Sequence, residues 1–138
     1  MALILDTSVV VALLSDDDPV HSSCVALVDG LREALVIPAL TLVEIDYWLR
    51  KRHDTNAWRV LVDEISDGGY RLHTLDEAEL QRAAELELTY ADLHLGLVDA
   101  SVVATCETLG ETKLATLDHR HFGVVRPRHC DALTLLPA

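Results

Sequence analysis

The first residues of the chain form a short apolar run, Ala2–Leu5, which is interrupted by Asp6-Thr7-Ser8 and resumes at Val9. An unbroken apolar run of this length is typical of a strand that is buried on both faces, as in a parallel sheet. The polar triplet after it can supply a helix N-terminus. The sequence therefore predicts that the chain begins with a buried strand followed by a helix.

The rest of the chain alternates between the same two kinds of element. Helices are predicted over residues 20–33, 39–52, 55–66, 77–90 and 97–109. Further strands are predicted over residues 35–37, 70–75 and 113–117, with a weak last strand near residues 133–136. Strands that alternate with helices indicate an α/β sandwich with a mainly parallel sheet. No repeat or linker interrupts the pattern, so we expect one domain over residues 1–138.

The charge of the chain restricts its partners. The net charge is -12, and half of the residues are hydrophobic. Proteins that bind nucleic acid usually carry a basic face, so this charge argues against such a partner. The objection is answered only if the acids cluster around a metal ion and the bases cluster near phosphate. No window holds the roughly 20 apolar residues that a membrane span needs.

The cysteines indicate the compartment. Cys24, Cys106 and Cys130 are odd in number and lack the spacing of a metal site. Free thiols of this kind fit a reducing cytosol, so we expect a cytoplasmic protein.

Two acids, Asp6 and Asp118, each follow an apolar strand. Taken singly, each is more simply a turn or capping residue. In open α/β sheets, however, ligands bind outside the carboxyl ends of the strands, where the strand order reverses. Two acids placed in this way can meet at one site.

Glu44 interrupts the apolar positions of its helix. It lies four residues from Leu40 and from Trp48, on a stripe that also holds Val43 and Tyr47. We expect this stripe to face inward, where an ionised carboxylate is costly unless it is paired or binds a metal. The alternative is a contact along the helix at the edge of the stripe.

Asp99 opens a second stripe, formed by Val102, Val103, Cys106 and Leu109. Here the simpler reading is a helix N-cap. The common placement of Asp6, Glu44, Asp99 and Asp118 favours one site over four separate coincidences.

Carboxylates without Cys or His partners suit a hard cation, Mg²⁺ or Mn²⁺. The chemistry typical of such a site is phosphodiester hydrolysis by activated water. Thr7 and Ser8, near a helix N-terminus, are candidates for holding water or a phosphate oxygen.

Basic residues are concentrated in two places. Arg50-Lys51-Arg52-His53 closes the helix of Glu44, where interaction with the helix dipole is the simpler role. Arg120, within His119-Arg120-His121, is the best candidate for an RNA phosphate contact. The histidine spacing does not match a helical zinc motif. Trp48 and Trp58 are assigned to the core or a dimer interface rather than to base stacking.

These motifs together resemble the PIN-domain ribonucleases, and within them the VapC-type toxins of toxin–antitoxin pairs. The resemblance covers essentially the whole chain. It rests on Ile4-Leu5-Asp6-Thr7-Ser8, Thr41-Leu42-Val43-Glu44, Leu97-Val98-Asp99-Ala100, Ala115-Thr116-Leu117-Asp118 and Phe122.

The resemblance implies a homodimer of three-layer α/β/α subunits that cleaves RNA, with Mg²⁺ or Mn²⁺ held by Asp6, Glu44, Asp99 and Asp118. It implies products with a 3′-hydroxyl and a 5′-phosphate, and a VapB-like antitoxin whose C-terminal segment blocks the site. Members of this group often carry another acid where His121 stands, so His121 is left out of the metal shell. Asp92 suits a loop cap or structural hydrogen bond better than catalysis.

Three alternatives are weighed against this interpretation. A phosphotransferase of the haloacid dehalogenase type needs a second Asp two residues after the first, where Ser8 stands. A phospho-acceptor receiver domain carries its Asp after a middle strand rather than the first. A catalytically silent PIN-like binding module stays open, although the presence of all four acids argues against it.

Overall fold

The computed structural model describes residues 1–138 and contains a five-stranded sheet between layers of helices. The strands are β1 (Ala2–Leu5), β2 (Ala34–Pro38), β3 (Arg71–His73), β4 (Lys113–Ala115) and β5 (Thr134–Leu136). The helices are α1 (Thr7–Leu14), α2 (His21–Asp29), α3 (Thr41–Lys51), α4 (Thr55–Ser66), α5 (Glu77–Thr89), α6 (Leu97–Leu109) and α7 (His119–Phe122). A short 3-10 helix, Ala91–Leu93, precedes α6.

The predicted elements are present, although β3 and β4 are shorter than predicted and the 3-10 helix was not predicted. Helix α2 ends earlier than predicted, because Gly30 occupies its C-cap and the chain then turns towards β2. Helix α7 was not predicted, since its four residues are too few to show a helical period. Helix α6 ends as expected at Gly110, whose φ of 66° is the left-handed conformation that glycine adopts most easily.

The strand order is β3-β2-β1-β4-β5, and every neighbouring pair is parallel. From β1 the chain builds the sheet outward through β2 and β3, and then returns to the other side of β1 to add β4 and β5. The order therefore reverses between β1 and β4, and their carboxyl ends border the crevice that this reversal opens.

The sheet separates two apolar clusters. Alternate residues of the strands point to opposite faces, so Ile4 and Leu114 pack with α5 and α6. Leu5 and Ile37 pack on the other face with α1, α3 and α4. This arrangement confirms the three-layer α/β/α architecture. None of the helices combines the length and the apolar character that crossing a bilayer would require.

Candidate active site

A cavity of about 340 Å³ opens at the carboxyl ends of β1 and β4. Asp6, Glu44, Asp99 and Asp118 all line it. The remaining lining residues are Thr7, Ser8, Val11, Asp18, Trp48, Arg52 and Leu117. The structure thus brings together all four acids that the sequence singled out, from four different elements.

Asp6 is the most enclosed of these acids, with only 4% of its surface exposed. It occupies the N-cap position of α1, but its side chain makes no capping hydrogen bond. Its Oδ2 atom instead accepts hydrogen bonds from Thr116 Oγ1 at 2.7 Å and Ser8 Oγ at 3.2 Å. Burial raises the pKa of Asp6 even though these hydrogen bonds favour its charged form.

Thr116 joins the two strand ends. Its hydroxyl donates to Asp6, and it also accepts a hydrogen bond from the backbone N–H of Asp118 at 3.0 Å. Ser8 makes a parallel link, since its Oγ donates to Asp6 and accepts from the N–H of Leu117 at 3.0 Å. The end of β1 is therefore fastened to the segment that leads into Asp118.

Glu44 reaches the cavity from α3, but for a different reason than the sequence suggested. The prediction that the stripe of Val43, Tyr47 and Trp48 faces inward is wrong, because these residues are 71%, 46% and 47% exposed. The buried side of α3 instead carries Ile45 and Leu49.

The helix has two apolar stripes, and the aliphatic one packs against the sheet. Glu44 lies between the stripes and is half-buried. Its Oε1 atom accepts a hydrogen bond from Thr7 Oγ1 at 2.8 Å. Thr7 and Ser8 thus each donate their only hydroxyl hydrogen to a carboxylate, which assigns both residues to positioning the acids.

Asp99 projects into the cavity from the first turn of α6. Gly96 occupies the N-cap, so the capping role considered for Asp99 is wrong. The stripe behind it is buried as expected, with Val102, Val103 and Cys106 fully enclosed. Burial and the negative charges of the other three acids raise the pKa of Asp99 to about 7.

Asp118 caps α7, accepting the backbone N–H of His121 at 3.0 Å. The His121 ring lies beside it, with Nδ1 at 2.6 Å from Asp118 Oδ2. Ligand atoms of Asp99, Asp118 and His121 all lie within 4.8 Å of one another. His121 is therefore a neighbour of the acids, although it is not among the residues predicted for the metal shell. The signal in the sequence is its position three residues after Asp118, because a capping carboxylate lies beside residue i+3.

Other residues are placed differently from the expectation. Arg120 is exposed and does not line the cavity. Asp92 is exposed on the 3-10 helix, away from the cavity lining. Arg52, assigned above to the helix dipole, does line the cavity, and so does Trp48, which is not a core residue. Trp58 packs partly buried against the core, as expected.

The arrangement concentrates negative charge where the strand order reverses. Four carboxylates in one small cavity repel one another, and this repulsion and partial burial explain the raised pKa of Asp99. A hard divalent cation would relieve the repulsion, and oxygen ligands are those that Mg²⁺ and Mn²⁺ prefer.

Comparison with known proteins gives consistent matches. The family described as the PIN domain matches residues 3–126. Ribonuclease VapC26 of Mycobacterium tuberculosis (strain H37Rv) is 29% identical over 98% of this chain and 100% of its own length.

Solved structures share the fold. The sarcin–ricin loop cleaving toxin VapC20 of Mycobacterium tuberculosis has a TM-score of 0.78 at 18% identity, covering 85% of this chain and 90% of that one. VapBC2 of Rickettsia felis, bound to a DNA fragment from its promoter, has a TM-score of 0.69 at 16% identity, covering 98% and 97%. Identities this low support a likeness of fold only.

Proposed function

The chain belongs to the PIN domain family, and on that basis we propose that it is a metal-dependent endoribonuclease of the VapC toxin type. The observation that carries the proposal is the convergence of Asp6, Glu44, Asp99 and Asp118 in one cavity. The relative that matches nearly the full length is named a ribonuclease, which supports the same activity. Both apolar clusters pack on one sheet, so we take residues 1–138 as a single nuclease domain.

The residues present fit a divalent cation. Burial and repulsion from Asp6, Glu44 and Asp118 raise the pKa of Asp99 to about 7, and Mg²⁺ or Mn²⁺ held by the four acids would offset that repulsion. A cation bound there supplies positive charge that makes water a better nucleophile at neutral pH and stabilises charge developing on the phosphate. His121 lies beside Asp99 and Asp118, where its ring contacts the Asp118 carboxylate.

The other side chains keep the acids in position. Thr116 and Ser8 orient Asp6, and Thr7 orients Glu44, through the hydrogen bonds described above. The hydrogen bonds from Thr116 and Ser8 favour the ionised form of Asp6, the form that binds a cation. Hydrolysis would leave a 3′-hydroxyl and a 5′-phosphate.

We further propose that an antitoxin protein of the VapB kind blocks the cavity, and that the chain forms a homodimer. An acidic cavity suits a basic partner segment, and the exposed Val43 and Tyr47 on α3 offer apolar surface for a second copy. A tagged Asp6→Asn chain should therefore co-purify with a small protein that abolishes RNA cleavage by the parent chain. Light scattering of the purified chain should give twice the mass of one chain. A monomer, or capture of no inhibitory protein, would contradict the respective proposal.

A cytoplasmic location is also proposed, because Cys24, Cys106 and Cys130 are all unpaired. A tagged chain found outside the cytoplasmic fraction would contradict it.

The test of the function is cleavage of a mixed cellular RNA pool by purified, partner-free protein. It compares Mg²⁺, Mn²⁺ and EDTA, and sets Asp6→Asn beside Asp92→Asn, an exposed acid outside the cavity. We expect discrete fragments with either metal, their loss with EDTA, and a loss of more than roughly 100-fold with Asp6→Asn, since even outer partners of a metal cost 10- to 100-fold. Asp92→Asn should cleave normally. Intact RNA from folded protein under every metal condition would favour the silent binding module.

A further inference from the structure

Two side chains of α3, together with Arg52 at the C-cap of that helix, form a line that leads out of the acidic cavity. Glu44, Trp48 and Arg52 recur at intervals of four residues, so they share one face, about 6 Å apart along the helix axis. All three line the cavity. We call this line the α3 track. A carboxylate stands at its inner end, an aromatic ring in its middle and a guanidinium group at its outer end.

Trp48 is not needed by the core. Ile45 and Leu49 supply the buried contacts of α3, whereas 47% of Trp48 is exposed. Its ring packs edge-on against Tyr47, with the ring centroids 5.3 Å apart, and stays half in water beside several acids. It does present a flat surface on which a nucleobase can stack, and every base has a face for such contact.

Arg52 brings a positive charge to the cavity. Its Nη1 atom lies 3.2 Å from Asp18 Oδ2, and the Asp18 side chain is only 11% exposed while that of Arg52 is 41% exposed. Asp18 therefore holds the guanidinium against the cavity wall and leaves part of it open to solvent. Guanidinium groups bind phosphate oxygens with paired N–H donors. The acid-rich chain thus has a phosphate-binding group beside the acids.

We propose that the α3 track binds one strand of the RNA, with Trp48 stacked on the base next to the cleaved phosphate and Arg52 bound to a neighbouring phosphate. This inference rests on the proposed function and deepens it. Bases inside a continuous duplex have both faces covered by their neighbours, so the base that stacks on Trp48 must lie in a single strand, in a loop or at the end of a duplex.

The experiment measures binding of a fluorescently labelled, short single-stranded RNA to chains that also carry Asp6→Asn, which prevents cleavage. Trp48→Leu should weaken binding by roughly 5- to 150-fold, the effect typical of a lost base–aromatic stack. Trp48→Phe should recover most of it. Leu88→Ala is the control, because Leu88 is a large exposed apolar residue on α5 that does not line the cavity.

Two further comparisons separate stacking from a structural effect. Abasic RNA should bind Trp48→Leu and the parent chain equally, because no base is present to stack. Arg52→Gln should weaken RNA binding, and it should reduce the dependence of the binding constant on salt concentration by about one phosphate contact. Arg50→Gln is the control, because Arg50 is paired with Asp46 on the exposed side of α3. It should change neither quantity.

The outcomes are distinct. If the chain without Asp6→Asn cleaves RNA and Trp48→Leu neither weakens binding nor slows cleavage, the α3 track is wrong and the proposed function stands. An equal loss with abasic RNA would also overturn it. If Trp48→Leu loses dimerisation or antitoxin binding but keeps RNA binding, the track is a protein interface. If the parent chain neither binds nor cleaves RNA, both proposals fall together.

Discussion

The Nδ1 atom of His121 lies 2.6 Å from Asp118 Oδ2, which places a basic side chain of the protein inside its own acidic cluster. Its Nε2 atom is 3.1 Å from the carbonyl oxygen of Leu93, which can only accept, so that nitrogen carries hydrogen. The hydrogen bond with Asp118 raises the pKa of His121. Partial burial acts to raise the pKa of Asp118, but the hydrogen bonds from His121 lower it overall. The pair therefore favours imidazolium and carboxylate.

His121→Asn is expected to strengthen Mn²⁺ binding by roughly two- to fivefold, because a metal no longer has to displace the imidazolium from Asp118. The gain should be largest at low pH, where His121 is protonated, and should shrink as the pH rises above its raised pKa. Calorimetric titration with Mn²⁺ measures it, with the exposed His119→Asn as control. Weaker binding in His121→Asn would instead make His121 a metal ligand.

Asp99→Asn should stabilise the metal-free protein at high pH. The pKa of Asp99 is about 7 in the folded chain against an ordinary 3.8. Between these values the folded state binds a proton that the unfolded state has lost. The stability contributed by this group is thus present below about pH 4 and lost as the pH rises through about 7.

In EDTA we expect Asp99→Asn to exceed the parent in free energy of unfolding by on the order of 1–3 kcal/mol at about pH 8. The two should be similar near pH 4, where Asp99 is protonated. Urea unfolding across this range measures both values. A difference that is the same at every pH would show that charge repulsion at Asp99 is not its cause.

Thr116→Val removes the hydroxyl that joins Asp6 to the N–H of Asp118. The free energy of unfolding should fall by about 1–3 kcal/mol, because buried polar groups lose their partner. Metal affinity should fall as well, since Asp6 loses a donor that favours its charged form. Thr116→Ser should restore both quantities in part. The control is Thr105→Val, because the buried hydroxyl of Thr105 donates to Ser101 O within α6 at 2.8 Å, away from the acids. This variant should lower the free energy of unfolding without changing the metal affinity.

Phe122→Ala should cost about 3–5 kcal/mol of stability, because this 1% exposed ring fills the core beneath α7. Phe122→Leu should cost much less. Since α7 begins at the capping carboxylate of Asp118, we expect the alanine variant to weaken Mn²⁺ binding too. Val124→Ala, on a side chain that is 51% exposed, should be near neutral in urea unfolding. If Phe122→Ala folds and binds Mn²⁺ with unchanged affinity, the packing of α7 does not position Asp118 for the metal.

The sequence predicts the parts of the site that depend on strand ends. Asp6 and Asp118 follow apolar runs, and parallel strands bring their carboxyl ends to one edge, so their meeting could be inferred from local pattern alone. Asp99 could be inferred from the stripe behind it. These inferences need only the spacing of apolar residues in each helix or strand, and the rule that ligands bind at the carboxyl ends of parallel strands.

The side of α3 that faces the core could not be inferred in this way. Both stripes of the helix are apolar, and only the packing against the sheet selects the aliphatic one, which leaves Trp48 at the cavity. The contact between Arg52 and Asp18 spans 34 residues and depends on how the loop after α1 folds back. Helix α7 is too short to have a period, and so the position of His121 became evident only with the fold.

The hydrogen bond between Thr116 and Asp6 spans 110 positions of the chain. During synthesis, Asp6 and its strand leave the ribosome before the residues that complete the cavity are made. A nascent chain can pair β1 with β2 early, but it holds no complete set of acids until β4 has inserted beside β1. The acidic cavity is therefore a late product of folding, because it depends on contact between two segments that are far apart in the chain.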